Sequence, residues 1–270
     1  MPRMTQDVAA QFFRAGWVRF PHDPAVAAWA ATARPVAEDC IANPQHRARW
    51  LRCGGTWFAG VSVFPNDASG AVPGRGVPPL GGAPVRFVAQ ALGLSGFDWD
   101  PAQVSACFSD YPQPTEGESE AAFRFRRDRD AAHVDGLTRF DGRRRPGERH
   151  GFILGLPLSD SPAEAAPLVV WEGSHEIVRR TLGDRLAGVA PERWAEEDVT
   201  DAYVAARREA FGTCRRVVVH ASPGSAWLVH RLALHGVAPW RAGDGPPRIV
   251  AYFRPDPFPN VSPEWWLDRP

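Results

Sequence analysis

Ala131-Ala132-His133-Val134-Asp135-Gly136 is the stretch on which the reading of this chain turns. On an extended backbone, residues two apart project to the same face, so His133 and Asp135 present an imidazole and a carboxylate side by side. Such a pair supplies two of the three donors of a facial metal triad, the arrangement that holds ferrous iron while leaving coordination positions open. The third donor must be a histidine from elsewhere. Downstream, Pro223-Gly224-Ser225-Ala226-Trp227-Leu228-Val229-His230-Arg231-Leu232-Ala233-Leu234-His235-Gly236 offers two, His230 and His235.

Around these residues the chain reads as short strands broken by Gly and Pro. Strands are expected at 104–111, 121–127 (Phe123 and Phe125 alternating with Arg124 and Arg126), 151–158, 168–172, 215–220, 224–230 and 248–254. Upstream the pattern is helical. A helix is expected over 5–15 with Thr5 as a possible cap, then a strand at 17–20. An amphipathic helix follows over 24–42, with Val26, Trp29, Ala33, Val36, Cys40 and Ile41 in its stripe and a bend at Pro35. Residues 65–84 are too rich in Gly and Pro for a regular element, 84–94 is a further helix, and after the strands begin helical character returns only at 191–210. No internal repeat is visible. Helices first and strands after suggest a β-sandwich or jelly roll buttressed by N-terminal helices.

The 270 residues are 44% hydrophobic with 11 Trp and 15 Phe, enough for a sizeable core. The 31 basic residues balance the 31 acidic ones, so no global field favours nucleic acid or an anionic membrane, and a small-molecule substrate is expected. Lysine is absent and every basic residue is arginine, which excludes Schiff-base chemistry and gives any anionic ligand a guanidinium partner. Cys40, Cys53, Cys107 and Cys214 show no zinc spacing. No apolar signal core opens the sequence and no run of eighteen apolar residues occurs, so a cytoplasmic setting is expected. There is neither a Gly-X-Ser-X-Gly elbow nor a phosphate-binding P-loop.

His133-Val134-Asp135, Trp171-Glu172-Gly173-Ser174-His175, Pro223-Gly224-Ser225, His235-Gly236 and Arg248 together resemble the successive signatures of the phytanoyl-CoA dioxygenase-like family of Fe(II)/2-oxoglutarate-dependent oxygenases. The resemblance spans roughly residues 105–254. It implies a mainly β (α+β) fold, a double-stranded β-helix (jelly roll, cupin-like) buttressed by N-terminal α-helices. The whole of 1–270 would then be one domain, with a helical support region (1–100), a jelly-roll core (101–256) and a tail (257–270). It also implies Fe(II) held by His133, Asp135 and His235 as metal and catalytic residues, with Arg248 on the distal carboxylate of the cosubstrate 2-oxoglutarate. O2 would be the oxidant and succinate and CO2 the co-products. Glu172 stands where the family often has proline, and Val237 where it usually has a small hydroxyl residue, removing one hydrogen bond to the cosubstrate.

Several residues compete for these roles. His230 rivals His235 as third ligand, with His235 preferred because Gly236 permits close backbone approach and the family places its distal histidine before a glycine. Arg231 and Arg254 rival Arg248; on a strand, Arg248, Val250, Tyr252 and Arg254 share a face. Arg124 and Arg126 either meet an anion at a barrel mouth or face solvent. His175 is expected in loop packing or hydrogen bonding, Trp171 in the core, and 143–149, just before His150, in a mobile flap or a solvated loop. Asp135 fills the position that related halogenating sites leave to chloride, so hydroxylation is the expected outcome. A different cupin-type metal enzyme and a non-catalytic small-molecule binding protein are the alternatives. The substrate and the oligomeric state are not written in the sequence.

Overall fold

The computed structural model describes residues 2–258 and 260–268, with side chains from Asp7 onward. Seven helices, α1 (Pro2–Ala15), α2 (Pro24–Ala42), α3 (Pro44–Trp50), α4 (Ala83–Ala91), α5 (Glu120–Asp128), α6 (Ser174–Leu186) and α7 (Thr200–Thr213), accompany twelve strands among the described residues. The strands are β1 (Trp17–Phe20), β2 (Leu51–Arg52), β3 (Trp57–Gly60), β4 (Gln103–Cys107), β5 (Leu137–Phe140), β6 (Arg143–Pro146), β7 (Phe152–Pro157), β8 (Leu168–Trp171), β9 (Arg216–Val219), β10 (Ala226–His230), β11 (His235–Val237) and β12 (Arg248–Phe253). A seven-stranded sheet runs in the order β1-β10-β7-β12-β4-β3-β2, and a second sheet in the order β11-β8-β9. Every pairing is antiparallel. Two antiparallel sheets face to face, with helices outside, make the expected jelly roll.

Alternation along the strands separates three layers of core. Leu154, Leu156, Leu228, Ile249 and Phe253 point outward from the large sheet to meet Phe12, Val26, Trp29 and Phe87 of the N-terminal helices. Ile153, Trp227, Val229 and Val250 point inward and meet Leu168 and Val170 of the small sheet. On the far side of the small sheet, Val169 and Trp171 pack against Val178, Leu182 and Tyr203 of α6 and α7. Trp171 is therefore core, as expected. Helix α2 keeps its apolar stripe buried and carries Pro35 within it, with Asp23 capping its start through the Ala25 amide.

Helix α1 begins before Thr5, which removes the capping role; the Thr5 side chain lies outside the described residues, as do Pro259, Arg269 and Pro270 of the expected tail. Trp266 of that tail is buried against Trp194. The segment 121–127 is helical, not extended. Ser119 caps it through the Ala122 amide, Glu120 pairs with Arg124 one turn on, and Arg126 and Arg127 close it, all favourable to a helix and its dipole. The Phe/Arg alternation imitates a strand, yet no residue of α5 is buried, so it records no core face. Within 143–149, residues 143–146 form strand β6 rather than a loop: β6 pairs with β5, and the Arg144 amide donates to Thr200 Oγ1 at 2.7 Å at the start of α7.

Trp29 is fully buried, donates Nε1–H to the Gly70 carbonyl at 2.9 Å and meets the rings of Phe64 and Phe253. Trp29→Ala should lower unfolding free energy by about 3–5 kcal/mol in a denaturant titration; a loss below ~1 kcal/mol would contradict this packing.

Candidate metal centre

Small-sheet strand β11 is extended by one further pairing, an isolated bridge between His235 and His133. The His133 amide donates to the His235 carbonyl at 2.8 Å and the His235 amide to the His133 carbonyl at 3.0 Å. Directly paired residues share a face, so both imidazoles project between the sheets, their ring centroids 4.6 Å apart. Asp135 follows on the same side. One donor atom from each of His133, Asp135 and His235 lies within 4.8 Å of the others. Sequence reasoning named these three, and the structure brings them together.

Both histidines are oriented for ligation. His133 Nδ1 sits 3.0 Å from the Ala131 carbonyl and His235 Nδ1 2.9 Å from the Ala233 carbonyl. A carbonyl only accepts, so Nδ1 carries the hydrogen in each ring and Nε2 is left for the centre. His133 Nε2 stands 3.1 Å from one Asp135 oxygen, and His235 Nε2 stands 3.9 Å from the other. Burial, assisted by the neighbouring His133, pushes His235 down to about 4, so it is a neutral donor at physiological pH. At Asp135 burial acts to raise the pKa, but Arg254 and the two histidines outweigh it and hold the carboxyl well below its usual range. Burial acts to lower the His133 pKa, but the adjacent Asp135 outweighs it and leaves it raised. Two imidazoles and one carboxylate on one side of a cleft fit a divalent transition metal.

The supporting residues explain why this segment can take its shape. Asp130 and Ala131 adopt left-handed φ values of 52° and 50°, a costly turn held by Arg216, whose guanidinium donates to both Asp130 carboxylate oxygens at 2.7 and 2.8 Å. The Val237 amide donates to the Asp130 carbonyl at 2.8 Å. A Cβ at Gly236 would collide with that same carbonyl, which is the close approach expected of this glycine. Ser174 Oγ accepts from the Leu234 amide at 2.8 Å and donates to the Trp171 carbonyl at 2.6 Å, tying the start of α6 to the strand that carries His235.

The rivals fall elsewhere. His230 points to the outer face of the large sheet, beside Phe12 and 4.7 Å from the ring of His175. His175 lies on helix α6 rather than in a loop, and its Nε2 donates to the Phe13 carbonyl at 3.0 Å. Arg231 donates to the carbonyls of Trp265, Trp266 and Asp268 and pins the chain's last described turn. Arg124 is exposed in its pair with Glu120. Arg126 reaches the cleft wall, paired with Glu118 at 2.7 Å. His150 Nδ1 lies 3.0 Å from the Arg254 carbonyl, away from the ligand positions.

Arg254, one rival to Arg248, lines the cleft but is committed: its Nη1 donates to Asp135 at 3.1 Å, and its Nη2 to Gln103. Arg248 is 5% exposed, stands 5.9 Å from the Trp227 ring, and neither of its Nη atoms has a hydrogen-bond partner. The wall of the cleft there is formed by Trp227 and Tyr252. Tyr252, buried so that its hydroxyl pKa is raised, is drawn partly back by the adjacent Arg248.

No family model matches the chain, and no curated protein matches it. Solved structures do. The non-haem alpha ketoglutarate dependent epimerase SnoN from nogalamycin biosynthesis matches with a TM-score of 0.51 at 13% identity, covering 94% of this chain and 82% of its own. The carbocyclase SnoK from the same biosynthesis matches at 0.49 and 12% identity over 92% and 83% of the two chains. EctD from S. alaskensis, with bound Fe, matches at 0.46 and 17% identity over 91% and 74%. The likeness to SnoN establishes a shared jelly-roll fold. No helix among the described residues is long and apolar enough to cross a membrane.

His235→Ala should abolish tight binding of Mn(II) in anaerobic calorimetry, whereas His230→Asn, which keeps an acceptor for the Leu232 amide, should leave the dissociation constant unchanged within about threefold. Gly236→Ala, acting only through the backbone, should weaken Mn(II) by about 10–100-fold. Equal losses in the His230 and His235 variants would overturn the assignment.

Proposed function

We propose that this chain is a non-haem Fe(II)/2-oxoglutarate-dependent oxygenase that hydroxylates a small-molecule substrate with release of succinate and CO2. Iron would be held by His133, Asp135 and His235, and Arg248 would bind the distal carboxylate of 2-oxoglutarate. The observation that carries the proposal is that both Nη atoms of the buried Arg248, on the inner face of β12, lack a hydrogen-bond partner. A buried charge whose donors are unsatisfied is unfavourable, so this side chain calls for an anion, and its planar fork fits a carboxylate. Arg254 cannot take that role without releasing Asp135, and Arg231 is already saturated by carbonyls.

When bound, ferrous iron chelated by a 2-oxo acid supplies the activation of O2 that neither the imidazoles nor the carboxylate could perform alone. The residues of this chain bind, orient and exclude water. His133 and His235 are held in one tautomer by backbone carbonyls, and Arg254 fixes one oxygen of Asp135 so that the other faces His133. Ile153, Leu168 and Val229 make the inner wall apolar, which keeps water from the reacting bond. Asp135 would take the place that related halogenating sites leave to a halide, and oxygen transfer to a C–H bond is the outcome we assign. The other family of readings, a cupin-type metal enzyme that uses no 2-oxo acid, leaves the unsatisfied Nη atoms of Arg248 unexplained.

Anaerobic addition of Fe(II) and 2-oxoglutarate should produce a visible metal-to-ligand charge-transfer band. Arg248→Ala should raise the 2-oxoglutarate concentration needed for it by about 10–100-fold, whereas Arg254→Ala should weaken the metal itself. A band of unchanged 2-oxoglutarate dependence in Arg248→Ala would remove the cosubstrate assignment, and no band in the unaltered protein would remove the proposal.

A further inference from the structure

The cleft lined by the three donors has a volume of about 460 Å³, more than the metal centre needs. Ile153, Leu168, Trp227, Val229 and Tyr252 line it between the two sheets. Trp50 at the end of α3, Trp57 on β3 and Tyr111 add a second aromatic stretch of lining, with Val61 exposed beside it. Trp57 is fixed by its Nε1–H to Ser105 Oγ at 3.0 Å and by an edge contact with Tyr111 at 6.3 Å, so it is a rigid wall rather than a loose cover. Its one hydrogen-bonding atom is spent within the protein. What it offers a ligand is apolar ring surface.

Charge decides the rest. Asp135 is the only carboxylate among the residues lining the cleft, against Arg52, Arg126 and Arg254. Arg254 is neutralised by Asp135 and Arg126 by Glu118. Arg52 on β2 has no carboxylate partner among the described residues; it is exposed, donates to the neighbouring Leu51 carbonyl at 3.1 Å, and stands 5.8 Å from the Trp50 ring. Under the iron and 2-oxoglutarate reading, a divalent cation and a dianion cancel, so the loaded cleft keeps a positive charge whose accessible part is Arg52.

Building on that reading, we infer that the substrate is an anion with a flat apolar body: the body lies between Trp50 and Trp57, and a carboxylate or sulfonate of the same molecule is held by Arg52 at the rim. Arg52 is a specificity residue, remote from the metal, and selects by charge. A cationic substrate meets only repulsion, and a neutral one leaves the guanidinium unused.

The test uses three probes of one shape, 1-naphthylacetate, 1-naphthylacetamide and 2-(1-naphthyl)ethylammonium, titrated calorimetrically into anaerobic protein saturated with Fe(II) and 2-oxoglutarate, with the charge-transfer band monitored in parallel. The acetate should bind about tenfold more tightly than the amide, and the ammonium should bind least. Arg52→Ala should erase the acetate-to-amide difference, Arg52→Lys should restore most of it, and Trp50→Ala should weaken acetate and amide by the same factor, all without moving the band. Equal binding of acetate and amide, no binding of any probe, or loss of the band on adding the acetate, which would place it in the cosubstrate's position, overturns the inference. Absence of the band before any probe is added instead counts against the iron and 2-oxoglutarate reading on which it rests.

Discussion

Two hydrogen bonds exchanged between the backbones of His133 and His235, at 2.8 and 3.0 Å, are the constraint on which this molecule depends. They join segments about one hundred residues apart and fix the relative position of the imidazoles before any side-chain interaction is considered. The entropy of closing so long a loop is met by the folding of the whole barrel, not by these two bonds. The bonds decide register. A slip of one residue would turn His235 to the far face of the small sheet, where Val169 and Trp171 meet α6 and α7.

That register is enforced from several directions. Gly236 lets the Asp130 carbonyl approach the strand, Arg216 locks the left-handed turn at Asp130, and Ser174 ties the strand's approach to the start of α6. Each contact comes from a different part of the chain. The donor set is thus held by backbone geometry, leaving side-chain charge free for function. The arginines of β12 and its end divide that work: Arg254 is spent on the Asp135 carboxylate, while both Nη atoms of Arg248 have no hydrogen-bond partner.

The parts of this arrangement legible in the sequence were those carried by local spacing. His133-Val134-Asp135 and His235-Gly236 announce their geometry because a two-residue period and a glycine's missing Cβ are local properties. The preference for His235 over His230 rests physically on strand alternation, which sends His230 out with Leu228 while Trp227 and Val229 point in. Helix α5 was hidden because Phe123-Arg124-Phe125-Arg126 alternates without burying anything, and the Ser119 cap and the Glu120–Arg124 pair were the better signals. Helix α6 was hidden behind Gly173-Ser174-His175, although Ile177, Val178, Leu182 and Leu186 repeat at helical spacing just after it. The Trp50 and Trp57 lining of the cleft was illegible because α3, β2 and β3 are short, and β3 joins the barrel by pairing with β4. Commitment of Arg254 and the unsatisfied Nη atoms of Arg248 depend on tertiary surroundings that no spacing encodes.

The central claim is that the backbone bridge delivers two imidazoles and one carboxylate, and nothing else from this chain, to one metal ion. X-ray absorption at the iron edge of the anaerobic ferrous protein with 2-oxoglutarate measures this directly. The account predicts a first shell of nitrogen and oxygen only, with outer-shell scattering from two imidazoles. A sulfur scatterer from the nearby Cys53, or scattering from one or three imidazoles, would contradict it.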